Sequence, residues 1–295
     1  MKETPTERFH RGEQRLQEAY GSREVLARQG QRLIQPCLTQ QHQDFFRSLP
    51  YVAFSCEDEM GRLRPTLLCG KSGFIKVIDE NQIRLSISLD DELAPHQLGI
   101  GDHIGMLGID FANRRRNRLN GRISRVEENA LYIEVDQAYG NCHKYIQQRQ
   151  VIHNSASTEN HSLKLVQQGE KLTKRLQEMI SLADTCFISS RSLSSSVSKH
   201  VADTAHGIDI SHRGGKAGFI RVLDDKTLSL PDYPGNRFFN TLGNLLEDPT
   251  AGLLLIDFET GHILQLTGTC DIVSGPAQAD WPTGAERLLI FHLQE

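Results

Sequence analysis

The sequence has no long hydrophobic run and no closely spaced cysteines. Its apolar stretches are short, for example LLLI at Leu253–Ile256, whereas a membrane-spanning helix needs about 20 apolar residues. The opening stretch MKETPTERFHRGEQR lacks the apolar centre of a signal peptide. The six cysteines contain no CxxC pair, which argues against a zinc site or a disulfide framework. These absences predict a cytoplasmic protein that has reduced thiols and does not bind a membrane.

A surplus of charge of one sign is also missing, as are the short motifs of several enzyme classes. The 33 Lys and Arg against 37 Asp and Glu give a net charge of −4, which argues against nucleic-acid binding through bulk charge. The 12 histidines show no HxxH or HExxH spacing, so no metal site is predicted. No GxSxG is present and no GxGxxG follows a strand, which excludes a serine hydrolase elbow and a Rossmann nicotinamide site.

What the sequence does contain is an internal repeat. KSGFIKV at Lys71–Val77 recurs as KAGFIRV at Lys216–Val222, with an offset of 145 residues. Further along, GIDF from Gly108 recurs as LIDF from Leu255, and RLNG from Arg118 recurs as QLTG from Gln265, both with an offset of 147. Two copies are too few for a solenoid. With 295 residues, enough for about two domains, the economical interpretation is a duplicated domain.

The copies are predicted to be rich in β-strands. Ile83–Leu89, Leu131–Val135 and His262–Ile272 alternate apolar and polar residues, which is typical of strands with one buried face. Short strands separated by Gly, Asp and Asn turns favour a barrel over a βαβ layout. Leu172, Leu176, Met179 and Ile180 form one apolar stripe of a helix that covers a barrel end or the seam. One or two further helices are expected in the first 40 residues.

An anion site is predicted in the second copy, within PDYPGNRFFNTLGNLLEDP. Asn236 is a good N-cap for the following helix, and the N-terminus of a helix binds phosphate well. Arg237 would oppose the helix dipole unless it held an anion. Arg213 lies in DISHRGGK before the repeated strand, and the adjacent Ser211 and His212 supply further donors.

The first copy is an internal control. Its equivalents of Ser211, His212 and Arg213 are Thr66, Leu67 and Leu68, and its counterpart of the Pro-rich loop contains the carboxylates of Asp90–Glu92. Three carboxylates would repel a phosphate. The sequence therefore predicts at most one anion site per chain, in the second copy.

Taken together, DISHRGGKAGFIRV, PDYPGNRFFNTLGN and LLLIDFETGHILQLTG resemble the pyridoxamine 5′-phosphate oxidase-like family of FMN-binding split barrels. FHRGEQRLQEAYG (Phe9–Gly21) and NCHKYIQ (Asn141–Gln147) resemble a tandem subgroup of that family. The resemblance implies a mainly β fold with flanking helices, in which tandem split barrels form a pseudo-dimer. It implies a helical segment at 1–44, a first barrel without a phosphate site at 45–150, a linker and helix at 151–182, and a second barrel with the FMN phosphate site at 183–295.

The same resemblance implies a set of FMN-binding residues. In it, Arg213, Asn236 and Arg237 hold the phosphate, other residues support them, and the side chain at position 265 reaches the flavin from a strand. The full set is Ser211, His212, Arg213, Gly214, Asp232, Asn236, Arg237, Asn240 and Gln265. No catalytic residue is identified. The chain lacks the further basic and aromatic segment that follows the barrel in true pyridoxamine phosphate oxidases, so oxidation of vitamin B6 is not expected.

Two functional classes remain open at this point. The first is an FMN-dependent oxidoreductase acting on an unknown small molecule or oxygen, as a pseudo-dimeric monomer or a homodimer. The second is a non-catalytic FMN-binding sensor or carrier, or one module of a larger reductase. Ser189–His200 is interpreted as a flexible loop or a lid over the flavin, and NRRRNR at Asn113–Arg118 as a solvated hairpin tip or a docking patch for an acidic or phosphorylated partner.

Overall fold

The computed structural model describes residues 7–87, 98–150, 164–192, 204–275 and 281–295. It is mainly β, with two seven-stranded antiparallel sheets and flanking helices, which confirms the predicted fold class. The first sheet contains β1 (Tyr51–Glu57), β2 (Leu63–Cys69), β3 (Ile75–Val77), β4 (Gln82–Ser86), β5 (His103–Asp110), β6 (Arg115–Glu127) and β7 (Ala130–Gly140). The second contains β8 (Thr185–Ser192), β9 (Gly207–Gly214), β10 (Arg221–Val222), β11 (Thr227–Asp232), β12 (Thr250–Ile256), β13 (Ile263–Ser274) and β14 (Arg287–Leu293).

Five helices lie within the described ranges. They are α1 (Arg11–Ala19), α2 (Arg23–Leu33), α3 (Gln40–Ser48), α4 (Lys174–Leu182) and α5 (Asn240–Glu247). Two of these helices, α1 and α2, lie in the first 40 residues, as the sequence pattern indicated, and α3 follows them. The stripe predicted on α4 is observed, because Ile180 is fully buried and Leu176 and Met179 pack against the core of the second sheet. None of the helices in the described ranges combines the length and the apolar character needed to cross a membrane.

The two sheets have the same strand order. The first runs β2-β1-β5-β6-β7-β4-β3, and the second, written in reverse, runs β9-β8-β12-β13-β14-β11-β10. Each strand of one half therefore has a counterpart in the other. The repeated blocks occupy equivalent places: Gly73 and Gly218 both adopt a φ of +84° in the turn before β3 and β10. At such an angle a side chain is strained, which explains why both copies have glycine there.

The two halves pack against each other through a layer of apolar side chains, and an approximate twofold axis relates one half to the other. β5 lies against β9, and its counterpart β12 lies against β2. Gly105 on β5 and Gly252 on β12 occupy equivalent positions, and a Cβ atom would stand 2.7 Å from the carbonyl oxygen of Ile208 at the first and 2.8 Å from that of Leu63 at the second. Both glycines therefore permit backbone-to-backbone contact between the halves.

Replacing either of these interface glycines with alanine is expected to destabilise the protein. The new methyl group would meet backbone atoms that cannot rotate away, so the sheets must separate, at a cost of about 1–3 kcal/mol per site. Denaturant unfolding of Gly105→Ala and Gly252→Ala measures this loss. Gly169→Ala is the matched control, since no atom lies within 4 Å of its added Cβ. Unfolding midpoints for the interface variants equal to that of Gly169→Ala would contradict the close approach.

Candidate functional site

A half-open cavity lies between the two halves, with a volume of about 120 Å³. Its walls come from β6 and the segment after β7 in the first half, and from β9, β11, the loop before α5 and the start of β14 in the second. Eight of the nine residues that the resemblance implies line it, although they are dispersed over 30 positions of the chain. These eight are Ser211, His212, Arg213, Gly214, Asp232, Asn236, Arg237 and Asn240.

Gln265 does not line this cavity. It lies on β13, which packs against β2, on the opposite side of the approximate twofold axis. Its counterpart in the first half is Arg118 on β6, which packs against β9 and does line the cavity. Gln265 is therefore not among the residues around this cavity, beside which the twofold axis places the equivalent strand of the other half. Its contact with the flavin stays a prediction.

The first half contributes basic side chains that the sequence pattern did not assign to the site. Arg116 and Arg118 belong to the NRRRNR run, which was interpreted as a solvated tip or a docking patch. Only Asn113, Arg114 and Arg115 are exposed there; alternation along β6 turns the other two arginines inward to the cavity. Lys144, from the NCHKYIQ segment, lines the cavity as well. The cationic lining therefore comes from both halves, not from the second alone.

Positive charge is concentrated in this cavity although the chain is acidic overall. Six basic side chains line it against two acidic ones, in a protein with net charge −4. The basic residues are Arg116, Arg118, Lys144, Arg213, Arg237 and Arg287, and the acidic ones are Asp232 and Glu286. Such a cavity attracts anions.

Asp232 acts as an anchor for two of these arginines. Its Oδ1 accepts a hydrogen bond from Nη1 of Arg213 at 2.6 Å, and its Oδ2 accepts one from Nη1 of Arg287 at 2.5 Å. Arg287 also lies over the rings of Tyr20 and Phe239. Asp232 is buried, so its carboxylate fixes both guanidinium groups; the sequence set included it as a cofactor contact, and the structure gives it this positioning contact.

Arg116 lacks such a carboxylate partner. No carboxylate of the described residues lies within 4.0 Å of its guanidinium, which instead donates to Nδ1 of His212 at 2.9 Å. Burial is the main cause that lowers the pKa of Arg116 to about 10; Cys142 opposes this shift, and the neighbouring charges of Arg118 and Arg213 add to it. The positive charge on Arg116 is thus destabilised until an anion approaches.

His212 is held in one neutral form by the same contact. Burial, then the charges of Arg116 and Arg213, keep its pKa well below the ordinary value. Because an arginine can only donate, Nδ1 of His212 accepts and the ring proton resides on Nε2. That buried Nε2 has no hydrogen-bond partner among the described residues. His212 therefore offers a neutral N–H donor.

Arg118 has a different role, because it joins the two halves in the interior. Its Nη1 is 2.5 Å from Oδ1 of Asp209 on β9, and its Nη2 donates to Oγ of Ser211. The guanidinium lies over the ring of Tyr139. Although burial opposes it, Asp209 raises the pKa of Arg118 above its usual value. Arg118 is only 2% exposed, so this ion pair is part of the folded core.

Several buried polar atoms around the cavity have no partner within the described part of the chain. Buried donors normally find an acceptor, so each one requires an explanation. Beside Nε2 of His212, they are Nε of Arg116, Nε of Arg118, Nε of Arg213 and Oδ1 of Asn141. Four of these five atoms are N–H donors, and an anion would satisfy donors of this kind.

The start of α5 completes the wall. The helix begins at Asn240, not at Arg237 as predicted, and its N-cap residue is Phe239 with φ +66°. Asn236 is therefore not the N-cap: its Oδ1 accepts from the backbone N–H of Phe238 at 3.1 Å within the preceding turn. The first turn of α5 still opens into the cavity, through Asn240 and Thr241.

Strained backbone is concentrated at this site. Four non-glycine residues of the described ranges have positive φ, and three of them, Tyr145, Arg237 and Phe239, line the cavity. Conformations of this kind cost about 1–3 kcal/mol each and cluster at functional sites. Gly214 makes room for one of them, since a Cβ there would stand 2.2 Å from the carbonyl oxygen of Tyr145.

Two predicted loops lie outside the described residues. They are the acidic Asp90–Glu92 stretch and most of the serine-rich Ser189–His200 segment, of which only Ser189–Ser192 is described, as the end of β8. Residues 151–163 of the predicted linker and helix at 151–182 also lie outside. The expectation that the first copy lacks an anion pocket thus stays a prediction.

No protein-family model matches the chain, and no curated protein matches it. Among solved structures, HupZ of Group A Streptococcus is similar over 42% of this chain and 90% of its own, with 14% identity and a TM-score of 0.30. A candidate pyridoxamine 5′-phosphate oxidase from Lactobacillus delbrueckii is similar over 43% and 93%, with 13% identity and a TM-score of 0.32. An F420 reductase is similar over 34% and 95%, with 8% identity and a TM-score of 0.24.

Proposed function

We propose that the chain is an FMN-binding flavoprotein and an oxidoreductase, and that the cavity between its halves holds the FMN phosphate. The observation that carries the proposal is a cavity lined by six basic side chains, whose lining residues include several buried N–H donors that have no acceptor in the described part of the chain. A phosphate dianion would accept from several of these donors at once and neutralise the destabilised charge of Arg116.

The size of the cavity fits this assignment. Pockets for whole small-molecule ligands have volumes of about 300–1,000 Å³, whereas this one has about 120 Å³. A phosphate and the start of a ribityl chain suit that volume. The cavity is therefore assigned to the phosphate end of the cofactor.

Each group around the cavity has a definite part in holding the phosphate. Arg213 and Arg287, fixed by Asp232, would donate charge-assisted hydrogen bonds, and Arg237 approaches from the exposed side. His212 offers its Nε2–H, and the first turn of α5, whose backbone N–H groups could bind an anion, lines the same space through Asn240 and Thr241. When bound, FMN supplies two-electron transfer, and the protein supplies position and electrostatics.

Turnover separates an oxidoreductase from a redox carrier or a module of a larger reductase. The test is anaerobic addition of NADH or NADPH to the FMN-loaded protein, followed by oxygen or a small electron acceptor. Bleaching of the flavin absorbance with repeated turnover supports the oxidoreductase. Flavin that binds but is reduced only by a separate reductase supports the carrier, and the absence of flavin binding rejects both.

Cys142 provides a probe for occupancy of the cavity. It is a half-buried cysteine in the lining, whereas Cys69 is an exposed cysteine elsewhere, and neither forms a disulfide. We expect FMN to slow alkylation of Cys142 by iodoacetamide and to leave Cys69 unaffected, because the bound phosphate blocks approach to the first thiol. Peptide mass spectrometry measures the alkylation rates of both cysteines in one sample. Equal rates for Cys142 with and without saturating FMN would place the flavin elsewhere.

A further inference from the structure

A second cluster of ligand-type side chains lies away from the phosphate cavity. It consists of His10, the N-cap residue of α1, His206, which precedes β9, and Glu247, the last residue of α5. One ligand atom from each lies within 4.8 Å of the others. The three residues are far apart in the sequence, which is why no metal-binding spacing was visible there.

Two glycines bring the first and third of these residues together. α1 crosses α5 where Gly12 faces Gly243, and a Cβ at Gly12 would stand 2.1 Å from the carbonyl oxygen of Gly243. Glu13 binds the start of α5, since its Oε1 accepts from the Asn240 side chain at 2.5 Å. The start of α1 is thereby fixed against α5.

His10 and Glu247 lie close to each other. Nδ1 of His10 is 3.1 Å from Oε2 of Glu247, and the backbone N–H of Gly12 lies 3.2 Å from the same Nδ1. Two ligand atoms on one tetrahedral Zn²⁺, with bonds of about 2.0–2.2 Å, lie about 3.3 Å apart. The distance between the two side chains therefore suits a shared metal ion.

Ser192 orients the other two members. Its Oγ is 2.6 Å from Oε2 of Glu247 and 2.7 Å from Nδ1 of His206. A carboxylate can only accept, so the single hydroxyl proton goes to Glu247 and Nδ1–H of His206 donates to the hydroxyl. The lone pair of His206 is then on Nε2. Metal-ligating histidines are characteristically held by a hydrogen bond from the other ring nitrogen.

The surroundings also favour a cation. The cluster lies at the C-terminal end of α5, where the helix dipole is negative. His10 is 4% exposed, and its Nε2 has no hydrogen-bond partner among the described residues, with Oε2 of Glu13 at 3.5 Å. The cluster and the phosphate cavity thus lie at opposite ends of one short helix.

We propose that His10, His206 and Glu247 bind a divalent transition metal ion, with Zn²⁺ as the reference ion. Two imidazoles and one carboxylate suit this class, whereas Ca²⁺ and Mg²⁺ prefer oxygen ligands. Three protein ligands leave one coordination position open. The ion would tie α1, α5 and the start of β9 together. The proposal is independent of flavin binding.

The test is Zn²⁺ titration by calorimetry of the full chain, without a histidine tag and after removal of metals by a chelator. We expect one tight site in the wild type and a Tm that rises on addition of Zn²⁺. His206→Ala and Glu247→Gln should lose that site. Ser192→Ala should weaken it about 10- to 100-fold, since the residue orients ligands without binding the ion. His262→Ala, an exposed histidine in a turn, is the matched control and should bind like the wild type.

The proposal fails if the wild type shows no stoichiometric Zn²⁺ binding. It also fails if His206→Ala and Glu247→Gln, folded by circular dichroism, bind Zn²⁺ as tightly as the wild type. If Ser192→Ala binds Zn²⁺ with the same affinity as the wild type, the hydroxyl does not orient the ligands, and the assigned geometry is overturned.

Discussion

Replacing Arg116 with methionine is expected to weaken FMN binding about a hundredfold, since a charge-assisted hydrogen bond contributes about 1.5–3 kcal/mol and each 1.4 kcal/mol is a factor of ten. The unliganded variant should unfold at the same temperature as the wild type or higher, because the substitution removes a buried charge that no carboxylate of the described residues neutralises. Fluorescence titration with FMN and thermal unfolding measure the two effects.

The combination of lower affinity and preserved stability is what identifies a ligand-binding arginine. Arg115→Met is the matched control, since it removes the same charge from the neighbouring exposed residue of the hairpin. We expect FMN affinity close to that of the wild type there. An Arg116→Met variant that binds FMN normally, or that loses affinity only because it unfolds, would contradict the account.

Replacing Arg118 with methionine is expected to lower the free energy of unfolding by about 3–5 kcal/mol, because it leaves a buried carboxylate without its charge partner. That carboxylate, on Asp209, lies in the opposite half and also accepts from Asn120 and Asn244. The substitution thus disrupts the contact between the halves. Denaturant unfolding followed by fluorescence measures the loss.

Two further variants serve as controls for the stability of Arg118→Met. Arg118→Met combined with Asp209→Asn should recover much of the stability, since no buried charge then remains unpaired. Arg125→Met, on the same strand but in an exposed pair with Glu127, should cost less than about 1 kcal/mol. A single Arg118→Met variant as stable as Arg125→Met would show that the pair does not stabilise the interior.

The architecture could be predicted from the sequence because duplication leaves local signals. Alternation in Ile83–Leu89 and Leu131–Val135 marks strands β4 and β7, and the glycine before each repeated strand marks a turn that side chains disfavour. Such features depend on neighbours in the chain. The shared strand order of the two sheets agrees with the duplication that the repeated blocks indicated.

The site could be predicted only in part, because it is assembled across the approximate twofold axis. A single repeat shows which residues flank its own helix start, and so Arg213 and Arg237 were found. It does not show which strand of the other half faces them, and so Arg118, the first-half counterpart of Gln265, was missed. The inward alternation of Arg116 within NRRRNR was the available signal.

The His10, His206 and Glu247 cluster was missed for a related reason. Its members come from a helix start, a strand start and a helix end, so no spacing in the sequence connects them. The crossing of Gly12 and Gly243 brings His10 to Glu247, and the pairing of β8 with β9 places His206 beside Ser192. Contacts between helices that are distant in the chain leave no periodic pattern in the sequence.

The phosphate assignment is tested most directly by comparing the dissociation constants of FMN and riboflavin for the wild-type protein. The two ligands share the ring and the ribityl chain and differ in the phosphate. We expect FMN to bind at least about a hundredfold more tightly, since two or more charge-assisted hydrogen bonds depend on the phosphate. Equal dissociation constants for FMN and riboflavin would contradict it.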